Sequence, residues 1–169
     1  MDGEIINRVA ASKLEVFDLE DFYPAGKRFT IDIAQWLDEG LILREKQFRD
    51  RLEKQDWEMY ADALVSIYCS TEAIIPAWAS ILVAVKLAPF AKEVVYGTPQ
   101  SLDEMIYRQV LPALDYSKYD GKPVIIKGCT SKPVPENAYL LAAKYLSSHA
   151  TSIMYGEACS AVPLFKKSR

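Results

Sequence analysis

Residues 64–97 read LVSIYCSTEAIIPAWASILVAVKLAPFAKEVVYG, and fifty-nine positions further on residues 123–156 read PVIIKGCTSKPVPENAYLLAAKYLSSHATSIMYG. Aligned without gaps, the two stretches pair Val65 with Val124, Ile67 with Ile126, Thr71 with Thr130, Pro76 with Pro135 and Leu87 with Leu146. Tyr96–Gly97 falls on Tyr155–Gly156, and upstream Asp56 and Tyr60 meet Asp115 and Tyr119. Chance matches scatter, whereas these fall at apolar and turn positions, so the chain carries a duplication.

Each copy has the same grammar. A short β-branched run reads as a buried strand, a loop follows, a proline opens an apolar stretch of helix length, and a second apolar run ends in Tyr-Gly. Proline suits the first helical turn, where its missing N–H is not needed. The unit is strand, helix, strand. Between the copies, residues 99–114 place Leu102, Met105, Ile106, Val110 and Leu111 at helical spacing. Ser101 reads as N-cap of this helix, with Glu104 completing a capping box. A helical crossover from one copy to the next predicts four parallel strands between 64 and 156 in one sheet.

The expected fold class is therefore α/β, a mostly parallel sheet built from a duplicated βαβ unit with an N-terminal α+β extension. One domain over 1–169 is expected: extension 1–55, repeat one 56–97, connecting helix 99–114, repeat two 115–156 and tail 157–169. Within the extension, residues 27–40 (KRFTIDIAQWLDEG) read as a strand leading into a turn or short helix closed by Gly40. Residues 43–55 read as a charged helix with Glu45–Arg49 and Asp50–Lys54 at favourable spacing. The repeat-one helix, 76–90, is apolar nearly all round and so needs cover on more than one face, from the N-terminal third or from a second copy in a homodimer.

Composition narrows the function classes. A chain of 169 residues, half apolar and a quarter charged, buries a core without disulfides or metal. Its net charge of −3 provides no basic field for nucleic acid, and the terminal FKKSR reads as a frayed, solubilising end. The N-terminus lacks the basic and apolar regions of a signal peptide. The longest apolar stretch, Ala73 to Leu87, is interrupted by Pro76 and too short to span a bilayer. The expectation is a cytoplasmic protein with no membrane partner. Three cysteines without framework spacing fit reduced thiols.

In a parallel α/β sheet, ligands bind outside the carboxyl ends of the strands. Cys69 and Cys129 end the first strands of the two copies, and Cys159 lies three residues beyond Gly156, so one sheet would bring all three to one edge. The loops there precede helix N-termini whose amides and dipole favour thiolate, unless Ser70, Thr71, Thr130 and Ser131 satisfy those amides locally. Three thiolates suggest zinc or an iron–sulfur cluster, with the fourth position open or filled by a carboxylate such as Glu72 or Glu157. Cysteine as a small buried hydrophobe is the competing reading.

A cysteine hydrolase needs a base, and the only histidine, His149, ends a helix of about fourteen residues, roughly 20 Å from that edge. Cys129 as a nucleophile at a helix N-terminus remains a further possibility. Phosphate-cradling glycine motifs are absent. In FDLEDFYP, residues 17–24, Asp18 and Glu20 would share a face if extended, with a metal or acid/base role. As a turn, Asp18 or Asp21 satisfies backbone amides.

The combination of FDLEDFYP, LILREKQFR, PAWASILVA, IKGCTSKPVP and SIMYGEACSAVPLFK resembles a bacterial family, domain-of-unknown-function family 2480, over nearly the whole chain. The resemblance implies no established activity. Genes of that family tend to lie beside iron–sulfur cluster assembly genes, which implies iron–sulfur assembly proteins as partners and favours Cys69, Cys129 and Cys159 as ligands or sulfur acceptors. The chain departs from the family pattern at EACS, where Ala158 stands in place of proline before the cysteine, which leaves the placing of Cys159 open. Two functions follow as expectations: a metal- or sulfur-binding accessory of iron–sulfur or thiol metabolism, and, as the alternative, a non-catalytic interaction module with structural cysteines.

Overall fold

The computed structural model describes residues 14–128, 131–157 and 160–167. The elements in chain order are β1 (Glu15–Phe17), β2 (Arg28–Asp32), α1 (Glu45–Glu53), β3 (Leu64–Tyr68), α2 (Ala77–Leu87), β4 (Glu93–Tyr96), α3 (Pro99–Val110), β5 (Pro123–Lys127), α4 (Glu136–His149), β6 (Ser152–Gly156) and β7 (Val162–Lys166). The fold is α/β with parallel pairing dominant. The duplicated strand–helix–strand unit is present in both copies, and β3, α2 and β4 begin fifty-nine positions before β5, α4 and β6.

The single sheet expected for residues 64–156 is not formed. β3 and β4 belong to a three-stranded sheet of order β2-β3-β4, whereas β5 and β6 belong to a four-stranded sheet of order β1-β5-β6-β7. The physical reason lies in the N-terminal third. The inner side of each repeat's first strand needs a parallel neighbour, and the stretch read as an extension supplies one to each sheet. β2 pairs with β3 from Arg28↔Leu64 to Asp32↔Tyr68, and β1 pairs with β5 from Glu15↔Val124 to Phe17↔Ile126. With that side of β5 occupied by β1, α3 connects the copies without making β4 and β5 neighbours.

The chain groups into two compact units, one from Pro24 to Met105 and one made of the chain up to Tyr23 together with the chain from Ile106. The central unit is thus inserted in the other, and each has its own core. Ile31, Ile33, Phe48, Leu52, Val65, Ile67, Val83 and Leu87 fill the first. Phe17, Leu19, Tyr107, Val124, Ile126, Leu146 and Ile153 fill the second. Four successive residues of β3, Leu64 to Ile67, are buried, as the unbroken apolar run predicts for a strand covered on both faces.

The duplication also reaches further than the fixed offset reveals. β1 and β2 each end at an aspartate that N-caps a short 3-10 turn: Asp18 Oδ1 accepts from Glu20 N at 2.9 Å before Leu19–Phe22, and Asp32 Oδ1 accepts from Ala34 N at 3.0 Å before Ile33–Trp36. Phe17-Asp18-Leu19 matches Ile31-Asp32-Ile33 at a separation of fourteen residues. The order in the chain is crossed, because the strand serving the second copy comes first.

Three local expectations change. Thr98, not Ser101, caps α3: Ser101 N donates to Thr98 Oγ1 at 3.3 Å, with Pro99 in the first turn. Pro76 and Pro135 are the extended N-cap residues of α2 and α4, one position before the first turn. The tail is not frayed at Val162–Lys166, which pairs antiparallel with β6 as β7.

Candidate functional site

The loops after β3 and β5 lie at the carboxyl ends of the two central strands, and in each unit a carboxylate from the neighbouring N-terminal segment holds the loop. In the central unit Asp32 accepts from Ser70 N at 3.0 Å on Oδ1 and from Ser70 Oγ at 2.5 Å on Oδ2. Burial pushes the Asp32 carboxyl upward, but the Ser70 hydroxyl and the Ala34 and Ser70 amides outweigh it and hold the group below its ordinary value. Thr71 Oγ1 donates to Gly40 O at 2.7 Å, and Cys69 Sγ lies 3.4 Å from the same hydroxyl. A hydroxyl has one proton, and a carbonyl only accepts, so the Cys69 S–H is left as the donor to Thr71 Oγ1. Cys69 is a half-buried free cysteine that packs against the core of its unit.

In the other unit the same task is divided. Asp18 Oδ2 accepts from Lys127 Nζ at 2.6 Å, and Glu20 takes the loop amides, accepting from Ser131 N, from Ser131 Oγ at 3.1 Å and from Lys132 N at 3.0 Å. Burial raises the Asp18 carboxyl, and hydrogen bonds from Lys127 and from Glu20 N more than reverse this. The Lys132 amide is the main cause holding Glu20 low. The bond from Asp18 raises Lys127, reinforced by the charges of Glu20 and Glu157 nearby. Glu157 Oε1 is buried and makes no hydrogen bond among the described residues. Asp21 sits exposed in the 3-10 turn.

Ser70, Thr71 and Ser131 do not cap the repeat helices. Ser70, Thr71 and Ser131 bond to Asp32, Gly40 and Glu20, and α2 and α4 have no side-chain cap. Thr130, Cys129 and Cys159 lie outside the described residues. The shared sheet edge on which a three-cysteine cluster depended is not formed, since Cys69 follows β3 of one sheet while Cys129 and Cys159 follow β5 and β6 of the other. Among the described residues no three His, Cys, Asp or Glu side chains are grouped to share a metal ion. His149 ends α4, bonds to Asp120 Oδ1 at 2.6 Å through Nδ1 and stacks on Tyr116. It serves the helix terminus.

Asp32 is a functional candidate that the sequence reading lacks, although Ile-Asp-Ile-x-x-Trp repeats the pattern Phe-Asp-Leu-x-x-Phe around Asp18. The outer face of α2, the helix whose apolar circumference calls for cover, is a second candidate surface. Trp78 and Leu82 pack on the core and Lys86 bonds to Glu53, but Ala77, Ile81, Val85 and Ala88 form an exposed stripe, with Ile81 and Val85 60% and 61% accessible. The equivalent residues of α4 are Glu136, Leu140, Lys144 and Ser147, a mostly polar face. The N-terminal third thus covers one further side of α2, through Phe48 against Trp78, and leaves the outer stripe uncovered. Beside it an open hollow of about 440 Å³ runs along Leu41, Ile42, Leu43, Glu72, Ala73 and Ile74 up to Pro76, with Ile74 92% accessible.

No helix among the described residues is long and apolar enough to cross a membrane. Comparison with curated proteins and with solved structures finds no match. A family model matches residues 3–167, which take in both repeats and the N-terminal segments that hold their loops, and the chain belongs to the family it describes, "Protein of unknown function (DUF2480)".

Proposed function

We propose that the chain is a non-catalytic protein–protein interaction module that associates with a second copy of itself through the outer face of α2. One observation carries this reading: the same helix face is apolar throughout in one repeat and carries charge in the other. Exposed Ala77, Ile81, Val85 and Ala88 stand where the second repeat has exposed Glu136, Leu140 and Lys144 and half-buried Ser147. An exposed apolar stripe of this kind marks an interaction surface rather than a solvated face. It is uncharged along its length, so two such stripes related by a two-fold axis oppose no like charges.

Sedimentation equilibrium tests this. The expected outcome is a mass approaching twice 19.1 kDa at increasing concentration, and a monomer for Ile81→Lys/Val85→Lys. A parent chain that stays monomeric throughout overturns the proposal.

A second reading, a metal- or sulfur-binding accessory role for Cys129 and Cys159, which follow β5 and β6 of one sheet, with zinc or an iron–sulfur cluster, is supported by Glu157. A buried carboxylate oxygen without a donor is unusual, and a cation supplies what it lacks. Metal content of protein prepared without oxygen, for the parent and for Glu157→Gln, separates the readings. Metal in the parent that is lost in the variant supports the accessory role.

A further inference from the structure

The two units differ at a second place, the outer edge of the strand that ends each repeat. β6 has an antiparallel neighbour there, β7, with Ser152↔Lys166, Ile153↔Phe165 and Tyr155↔Val162 in register. β4 occupies the equivalent position in the central unit, and among the described residues no strand pairs with its outer edge. The chain turns at Gly97 directly into α3, whose first residue is Pro99, so no strand follows to pair with β4.

The open groups on that edge can be named. Glu93 N and Gly97 N donate inward to Ala63 O and Ile67 O. Because a parallel ladder uses alternate residues, the amides and carbonyls of Val94 and Tyr96 face outward. These residues are the equivalents of Ile153 and Tyr155, which face β7. The side chains register the difference by degree: Ile153, opposite Phe165, is 2% accessible where Val94 is half-buried, and Tyr155 is 39% accessible where Tyr96 is 60%.

We infer that the outer edge of β4 is a strand-accepting site for an extended antiparallel segment of another protein chain, patterned like β7. The sibling edge specifies the chemistry. Transferring its register places a β-branched residue opposite Tyr96, an aromatic residue opposite Val94 and a basic residue opposite Glu93, where β7 has Val162, Phe165 and Lys166. Glu93 replaces Ser152 at the position facing the lysine, so the acceptor edge has a charge complementary to the basic end of such a segment. Main-chain bonds to Val94 and Tyr96 hold the segment, and the aromatic and basic positions select it. This surface is separate from the outer face of α2.

The test uses a synthetic peptide with the sequence of residues 160–167, SAVPLFKK, titrated into the full chain, with backbone amide resonances as readout. Saturable binding that moves Val94 and Tyr96 is expected, with affinity lowered about fivefold or more by Val94→Pro, which removes an outward donor. Glu93→Lys keeps the ladder intact and is expected to weaken binding severalfold, in a salt-dependent manner. The proposal is overturned if no saturable binding occurs. Equally, it fails if binding is indifferent to both variants and moves β6 instead, which would mean displacement of β7, or if β4 of a second copy already fills the edge.

Discussion

Lys127 Nζ donates to Asp18 Oδ2 at 2.6 Å and ties the carboxyl end of β5 to that of β1, residues separated by more than a hundred positions. In the central unit the equivalent aspartate, Asp32, holds Ser70 instead. Two aspartates at equivalent places in the two units thus do the same mechanical work, closing a strand pair at its carboxyl end, through different partners.

Asp32→Ala removes the cap of a 3-10 turn and both bonds to Ser70. The expected loss is about 2 kcal/mol, from roughly 1 for the cap and a further contribution from the partly exposed loop bonds. Asp32→Asn, which keeps an acceptor for Ala34 N, is expected to recover part of it. Urea unfolding curves of the two variants decide the point, and equal losses would assign the effect to charge rather than to capping.

Acid should weaken both units. Asp18 and Asp32 sit below the ordinary aspartate value of 3.8, so the folded state binds fewer protons than the unfolded one. Their contribution is complete above that value and is lost as pH falls through the folded values. The urea midpoint is expected to be flat near neutrality and to drop below about pH 4, with a shallower drop in Asp18→Asn/Asp32→Asn.

Tyr116 responds at the alkaline end. Burial, with Tyr145 and Tyr119 nearby, pushes its phenol up to about 12, and its hydroxyl donates to Leu111 O at 2.9 Å. The folded state holds this proton more tightly, so the contribution is complete below pH 10.0 and lost as pH rises toward 12. Tyr116→Phe is expected to cost about 1 kcal/mol at neutral pH and to flatten the fall in stability over that window.

Gly128 and Gly156 bring the ends of β5 and β6 together. A Cβ on Gly128 would lie 3.1 Å from Gly156 Cα and 3.1 Å from the Tyr155 ring. Gly128→Ala is expected to destabilise by about 1–3 kcal/mol, with faster amide exchange in β5 and β6. Unchanged exchange there would show that the ring and backbone yield without cost.

The strand–helix–strand units were legible in the sequence because their information is local. Consecutive apolar residues in β3 and β5, the proline before each helix and the terminal Tyr-Gly all act within a few residues of where they stand. The fixed offset of fifty-nine found both copies, but it could not find the matching segments around Asp18 and Asp32. These lie fourteen residues apart and in crossed order, and β1 is only three residues long. The carboxylate-held loops were partly legible. Asp18 and Glu20 stood out in a conspicuously acidic stretch, whereas Asp32 sat in an ordinary strand.

The sequence by itself determined the α/β class, the duplication and the family, because apolar periodicity and turn residues act through short-range backbone preference. Only the tertiary structure decided which strand lies beside which. Hydrogen bonding between parallel strands is nearly blind to sequence, so the choice rests on side-chain packing between segments distant in the chain. That packing divided the expected single sheet into two, placed Cys69 on a different sheet from the strands leading to Cys129 and Cys159, and left the α2 face and the β4 edge open in one unit where α4 is polar and β6 is paired in the other.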